Sequence, residues 1–162
     1  DRVDNSFSVE AELVLQAAEG RISYVTRPVS PSFIKRYGPE EHDALSYTGR
    51  PDRAAWLAIA GDQIAGQILV RENWNRLAII WDLAVDPPFR RQGIGGRLIS
   101  LAIDWARARN LPGIMLETQN INVPACQLYE RCGFVLGGID YYLYRAALPE
   151  ANEVALFWYL MF

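Results

Sequence analysis

The chain has 162 residues, 51% of them hydrophobic and 22% charged, which suits one globular domain and excludes a disordered or low-complexity polymer. Lys and Arg number 16 against 19 Asp and Glu, a net charge of −3, so the basic footprint of a phosphate-backbone binder is absent. No apolar run approaches the roughly 18 residues of a membrane span, and residues 1–20 lack a basic-then-apolar signal layout. The expectation is a cytoplasmic protein with neither nucleic acid nor membrane as a partner.

Residues 7–16 (FSVEAELVLQ) and 21–29 (RISYVTRPV) predict two strands around an Ala-Glu-Gly turn. Residues 30–53 mix Pro31, Gly38, Pro39, Gly49 and Pro51 with Phe33, Ile34 and Tyr37. That mixture predicts a short helix within a long loop, of the kind that shapes substrate sites. His42, the only histidine, falls here. Without a partner it argues against a histidine metal site or a Ser/His/Asp triad, and its role is surface or structural. From Ala55 the pattern sharpens. AWLAIA, Gly61-Asp62 and QIAGQILV form a hairpin, ENWNR is a second turn, and LAIIWDLAV (77–85) reads as a central strand buried on both faces.

Ile94, Leu98, Leu101, Ala102 and Trp105 make one helical stripe, with Arg97, Ser100, Asp104 and Arg107 opposite and Asn110 before Pro112-Gly113 as the stop. GIMLETQ (113–119) is a strand. Asn122 caps the next helix, Pro124 occupies its first turn, and Ala125, Leu128, Tyr129 and Cys132 line its inner face. Gly133 followed by Phe134 is a glycine stop with a hydrophobic contact. Cys126 and Cys132 are six helical positions apart, about 600° of rotation, and cannot bridge. Two strands near 135–146 and 153–161 close the chain. The order describes a mixed α/β (α+β) sheet with a parallel crossover from strand 77–85 to strand 113–118.

The segment DPPFRRQGIGGRL joins the central strand to the long helix. Gly93, Gly95 and Gly96 allow close backbone approach, Arg90, Arg91 and Arg97 add positive charge, and first-turn amides of the helix point at the same spot. Together they make a receptor for a pyrophosphate or similar anion. A Rossmann site needs a third glycine where Leu98 stands, and a P-loop needs Gly-Lys-Ser/Thr, so both nucleotide readings fail. Two carboxylates also stand out. A charge inside a central strand is costly to bury, so Asp82 in AIIWDLAV and Glu117 in IMLET need a partner or a purpose. Arg71, Arg76 or a backbone cap is the alternative to a ligand.

Arg90-x-x-Gly93-x-Gly95, followed in order by Asn122-x-x-Ala125-x-x-Leu128-Tyr129-x-x-x-Gly133-Phe134, resembles the two hallmark motifs of the GNAT N-acetyltransferase superfamily. ENWNR, DLAV, RRQGIG, GIMLETQ, ACQLYERCGF and ALFWYL are further similar to the streptothricin acetyltransferases, over roughly residues 56–162. These are resistance enzymes that acetylate a nucleoside-peptide antibiotic.

The resemblance implies a single GNAT domain over 1–162 whose central strand is bulged and splayed from its parallel neighbour. It implies acetyl-CoA as co-substrate, with no metal. Pantetheine would pair with Leu83, Ala84 and Val85 as an added strand does. Pyrophosphate would sit on the amides of Arg91, Gln92, Gly93, Ile94, Gly95 and Gly96, with Arg90 alongside. Asn122 and Ala125 would meet the pantetheine arm, and Tyr129 would protonate the departing thiolate. Core packing is the alternative for Tyr129. Asp82 and Glu117 would hold the cationic amine, one of them relaying its proton, with Asp140, Glu153 and Trp74 as further acceptor contacts. Trp81, Tyr141, Trp158 and Tyr159 are weaker aromatic candidates. The implied partner is a small cationic amine, the β-lysine amine of streptothricin first. The superfamily also admits a homodimer. Another amine (aminoglycoside, polyamine or protein) and a non-catalytic acyl-CoA-binding regulator stay open.

Overall fold

The computed structural model describes residues 3–37, 44–146 and 148–162, and His42 lies outside the described residues. β1 (Phe7–Ala18) and β2 (Arg21–Lys35) form an antiparallel hairpin. The remaining strands are β3 (Arg53–Ala60), β4 (Gln63–Glu72), β5 (Ala78–Val85), β6 (Gly113–Gln119), β7 (Val135–Asp140) and β8 (Ala155–Met161), and the helices are α1 (Ile94–Ala108) and α2 (Val123–Arg131). The main sheet has the order β3-β4-β5-β6-β8-β7 and is mixed, with β5 and β6 parallel. This is the α+β arrangement read from the sequence.

The chain packs as two compact units. One comprises Arg36–Leu116 with the two chain ends, up to Ser6 and from Leu160. Within it α1 packs on β3, β4 and β5 through Leu98, Ile99, Ala102 and Ala106. Burying Leu98 and Ile99 contributes roughly 1.5–3 kcal/mol each, and the two alanines let the helix lie close to the strands. The buried stripe is thus rotated from the expected one. Leu101 is exposed, and half-buried Trp105 carries the Arg109 guanidinium 4.5 Å above its ring. α1 ends as predicted near Asn110, which takes φ +56° while Leu111 N–H reaches back to Ala106 O at 3.1 Å.

The second unit comprises Phe7–Lys35 and Glu117–Tyr159. Asn120 ties it together. Its backbone N–H donates to Val154 O (2.9 Å), its carbonyl accepts from Leu13 N–H (2.9 Å), and its side chain repeats the bridge. Nδ2 donates to Leu13 O at 3.2 Å and Oδ1 accepts from Val154 N–H at 2.9 Å. α2 starts on Asn122, whose Oδ1 accepts from Ala125 N–H (3.4 Å), and stops at Gly133 (φ +89°) with Phe134 N–H bonded to Tyr129 O. Its buried residues are Val123, Cys126 and Tyr129; Ala125, Leu128 and Cys132 are only half-buried. Both cysteines are free thiols.

Other boundaries moved. β2 continues to Lys35 instead of ending at 29, and residues 29–32 drop out of the register because Pro28 and Pro31 offer no N–H to the ladder. The short helix expected in 30–53 is a 3₁₀ turn, Ala44–Tyr47. β7 stops at Asp140, and 141–146 form turns, because the Asp140 side chain takes the next amides. Among the described residues no helix is long and apolar enough to cross a membrane.

Candidate active site

β5 is not buried on both faces throughout. Its register against β4 slips between Leu69–Asp82 and Val70–Ile80, leaving Trp81 as the extra residue of a β-bulge. Trp81 turns outward, 47% exposed, with the Arg71 guanidinium 4.2 Å above its ring. Past the bulge, Asp82 stands opposite Leu69, and Gln67, diagonally placed on β4, donates Nε2–H to Asp82 Oδ2 at 2.5 Å. Leu83, Ala84 and Val85 pair with Ile68, Gln67 and Gly66. Gly66 is required there, since a Cβ would lie 2.8 Å from Ala84 O. On the other edge of β5 the parallel register with β6 pairs Ala78–Ile80 with Ile114–Leu116.

The loop after β5 is braced by its own side chains. Arg90 donates Nε–H to Val85 O (2.7 Å) and Nη2–H to Asp4 O (3.0 Å), and Gln92 donates Nε2–H to Pro88 O (3.2 Å). Asp4 N–H in turn bonds Asp86 Oδ1 at 2.9 Å. The Asp4 carboxyl is held below its usual range, chiefly by hydrogen bonds from Ser6. Arg91 and Gly93 take φ +65° and +82°. The first intrahelical bond of α1 runs from Arg97 N–H to Gly93 O, so the amides of Ile94, Gly95 and Gly96 have no acceptor one turn back. Cβ atoms built on Gly93 or Gly96 would meet nothing within 4 Å. Open space, free amides and a helix N-terminus coincide here. Trp74, 90% exposed, sits in the turn that enters β5, at the opposite end of the strand from this loop.

The second unit carries the other expected residues. Glu117 lies on β6, one residue after Leu116, which pairs with Ile80. Its Oε1 accepts the phenol O–H of Tyr144. Asp140 Oδ1 accepts the amides of Tyr142 (2.7 Å) and Leu143 (3.0 Å), closing the turn that delivers Tyr144. Glu153 is paired with the Lys35 ammonium. Tyr129 is buried, with its ring tilted against Phe134 (6.1 Å) and Trp158 (6.2 Å). Beside it, burial pushes the Cys126 thiol up to about 12, which leaves it protonated and unreactive. Tyr141 is exposed and Tyr159 half-buried.

The sequence matches the Acetyltransferase (GNAT) family over residues 23–134. The chain belongs to the GNAT family of acetyltransferases. Streptothricin acetyltransferase A of Bacillus subtilis (strain 168) is 35% identical to it, aligned over 100% of this chain and 92% of its own. An Escherichia coli streptothricin acetyltransferase is 36% identical over 96% and 86% of the two chains. A crystal structure from Bacillus anthracis str. Ames, assigned as a streptothricin acetyltransferase and in complex with acetyl coenzyme A, superposes with a TM-score of 0.94. It is 43% identical, covering 100% of this chain and 92% of that one.

The protein is thus an acetyl-CoA-dependent N-acetyltransferase of the GNAT fold. The loop of this acetyltransferase fits its co-substrate: an anion meets unsatisfied amides at a positive helix end with room to approach them. Three residues that contact the expected positions escaped the sequence reading. Gly66 carried a signal, since glycine inside a strand marks a bulge or a close backbone approach. Gln67 and Tyr144, which hold the two acids, carried none.

Proposed function

We propose that this acetyltransferase moves the acetyl group of acetyl-CoA to a primary amine of a streptothricin-class antibiotic, the β-lysine amine first, and so confers resistance. The observation that carries the reading is local. β5 and β6 pair in parallel through Ile80 and Leu116, and each strand carries an acid just after that rung in sequence, Asp82 two residues on and Glu117 one. Both carboxylates accept hydrogen bonds from neutral donors, Gln67 and Tyr144. Full-length similarity to streptothricin acetyltransferases supports the choice of acceptor.

Acetyl-CoA supplies an activated thioester. The amides of Arg91–Gly96 hold its pyrophosphate, and Leu83–Val85 offer backbone to the pantetheine arm, which Asn122 and Ala125 also meet. Arg90 and Gln92 act on the shape of the loop, since their side chains already bond its carbonyls. An alkylammonium has a pKa of roughly 10 and must lose a proton to attack. Asp82 and Glu117 collect and orient it, and one of them relays that proton. A backbone amide near Val85 stabilises negative charge developing on the acyl oxygen. Tyr129 gives its proton to the leaving sulfur. Asp140 and Glu153 are engaged by protein groups and shape the acceptor end, and the chain works as one catalytic domain.

Thiol release from acetyl-CoA, measured over a panel of streptothricin, an aminoglycoside, a polyamine and a peptide α-amine, tests the reading. Turnover with streptothricin exceeds the others at equal concentration. Preferred turnover of another amine, or tight acetyl-CoA binding with no turnover at all, contradicts it.

A further inference from the structure

The segment between β7 and β8 is mostly solvent-facing. Tyr141, Tyr142, Leu143, Arg145 and Ala146 are exposed, whereas Tyr144 between them is half-buried. Its burial has a definite target, because the phenol donates to Glu117 Oε1. The backbone is arranged to permit this. Asp140 Oδ1 caps the amides of Tyr142 and Leu143, and Leu148 N–H returns to Tyr144 O at 2.8 Å. An aspartate-closed turn thus delivers one hydroxyl to one carboxylate oxygen.

We propose that Tyr144 is a positioning residue for the acceptor amine, fixing the rotamer of Glu117 so that its carboxylate meets the ammonium. The inference rests on the reading of Glu117 as an amine-binding group. A flexible glutamate must lose side-chain entropy when it grips a ligand, and a carboxylate already held by one oxygen has lost most of it beforehand. A neutral donor suits the task, for it orients the carboxylate without cancelling its charge. Asp140 acts one step further back, through the turn.

The test is a double-mutant cycle on the full chain, with streptothricin and acetyl-CoA as substrates. Tyr144→Phe keeps the ring and removes the hydroxyl. Its KM for streptothricin rises about tenfold, the order of one hydrogen bond to a charged group, while kcat and the KM for acetyl-CoA stay within about twofold. In a Glu117→Gln background the same change adds less than about twofold, because the group it positions is gone. Asp140→Ala supplies an independent arm, with a smaller rise in the amine KM that also disappears in Glu117→Gln. The proposal is overturned if Glu117→Gln raises the amine KM while Tyr144→Phe leaves it unchanged, or if the two effects multiply. It also falls, together with the amine-binding reading, if Glu117→Gln itself has no effect on the amine KM.

Discussion

In the proposed reaction the loop after β5 and the acids Asp82 and Glu117 serve different substrates, and they are made of different material. The loop offers backbone. Its amides are exposed by a helix start, and its curvature comes from positive φ at Arg91 and Gly93 and from Arg90 and Gln92 bonding carbonyls within a few residues. Glu117 carries a side-chain carboxylate, bonded by Tyr144 from 27 residues away in sequence. Acetyl-CoA presents the same phosphates to every GNAT enzyme, so a backbone receptor suffices. The acceptor amine varies, and side chains supplied by a surface turn can vary with it.

This contrast can be broken at several points. Tyr129→Phe gives the largest effect, a fall in kcat of about 10²-fold, the order of a lost general acid. The ring contacts with Phe134 and Trp158 survive, so the fold is kept and acetyl-CoA binding changes little. Steady-state kinetics alongside a melting curve checks it. Asp82→Asn and Glu117→Gln come next, each raising the amine KM by about tenfold or more with the acetyl-CoA KM unmoved. Arg90→Met removes the donors to Val85 O and Asp4 O, lowering stability by about 2 kcal/mol and raising the acetyl-CoA KM a few-fold. Urea unfolding and kinetics report the two parts separately.

The smallest effect is one of pH. The Cys126 thiol is raised from its ordinary value near 9 to about 12 by burial, so the native state favours the protonated form. That contribution to stability is complete below pH 9 and is lost as pH rises from 9 towards 12. Cys126→Ala has a shallower fall in stability over that window. An unchanged slope contradicts the assignment.

Legibility in the sequence followed the same division. The glycine loop and the stop at Gly133 were readable because backbone at positive φ leaves a glycine, and the start of α2 because the Asn122 side chain caps it. The α1 stripe was misread by one position, since Leu101 and Trp105 fit helical spacing as well as Ile99 and Ala106 do. The apolar run of β5 concealed the bulge at Trp81, because hydrophobicity does not register an extra residue in a ladder. Asp82 and Glu117 were found as charges in apolar strands. Their holders were not, since Gln67 and Tyr144 are ordinary residues until the register and the Asp140 turn bring them to those acids. Asn120, which bonds Leu13 and Val154 from both backbone and side chain, was likewise invisible as one asparagine among loop-forming neighbours.

The division of labour is tested most directly by calorimetric titration of acetyl-CoA into Gly93→Val and Glu117→Gln. A β-branched residue opposes the φ of +82° at Gly93 and so distorts the loop that presents the amides. Gly93→Val should weaken acetyl-CoA binding by about tenfold or more, the order of the left-handed backbone penalty, and Glu117→Gln should leave it within about twofold. Equal losses in both variants, or a loss confined to Glu117→Gln, would contradict a cofactor cradle built from backbone and an acceptor grip built from side chains.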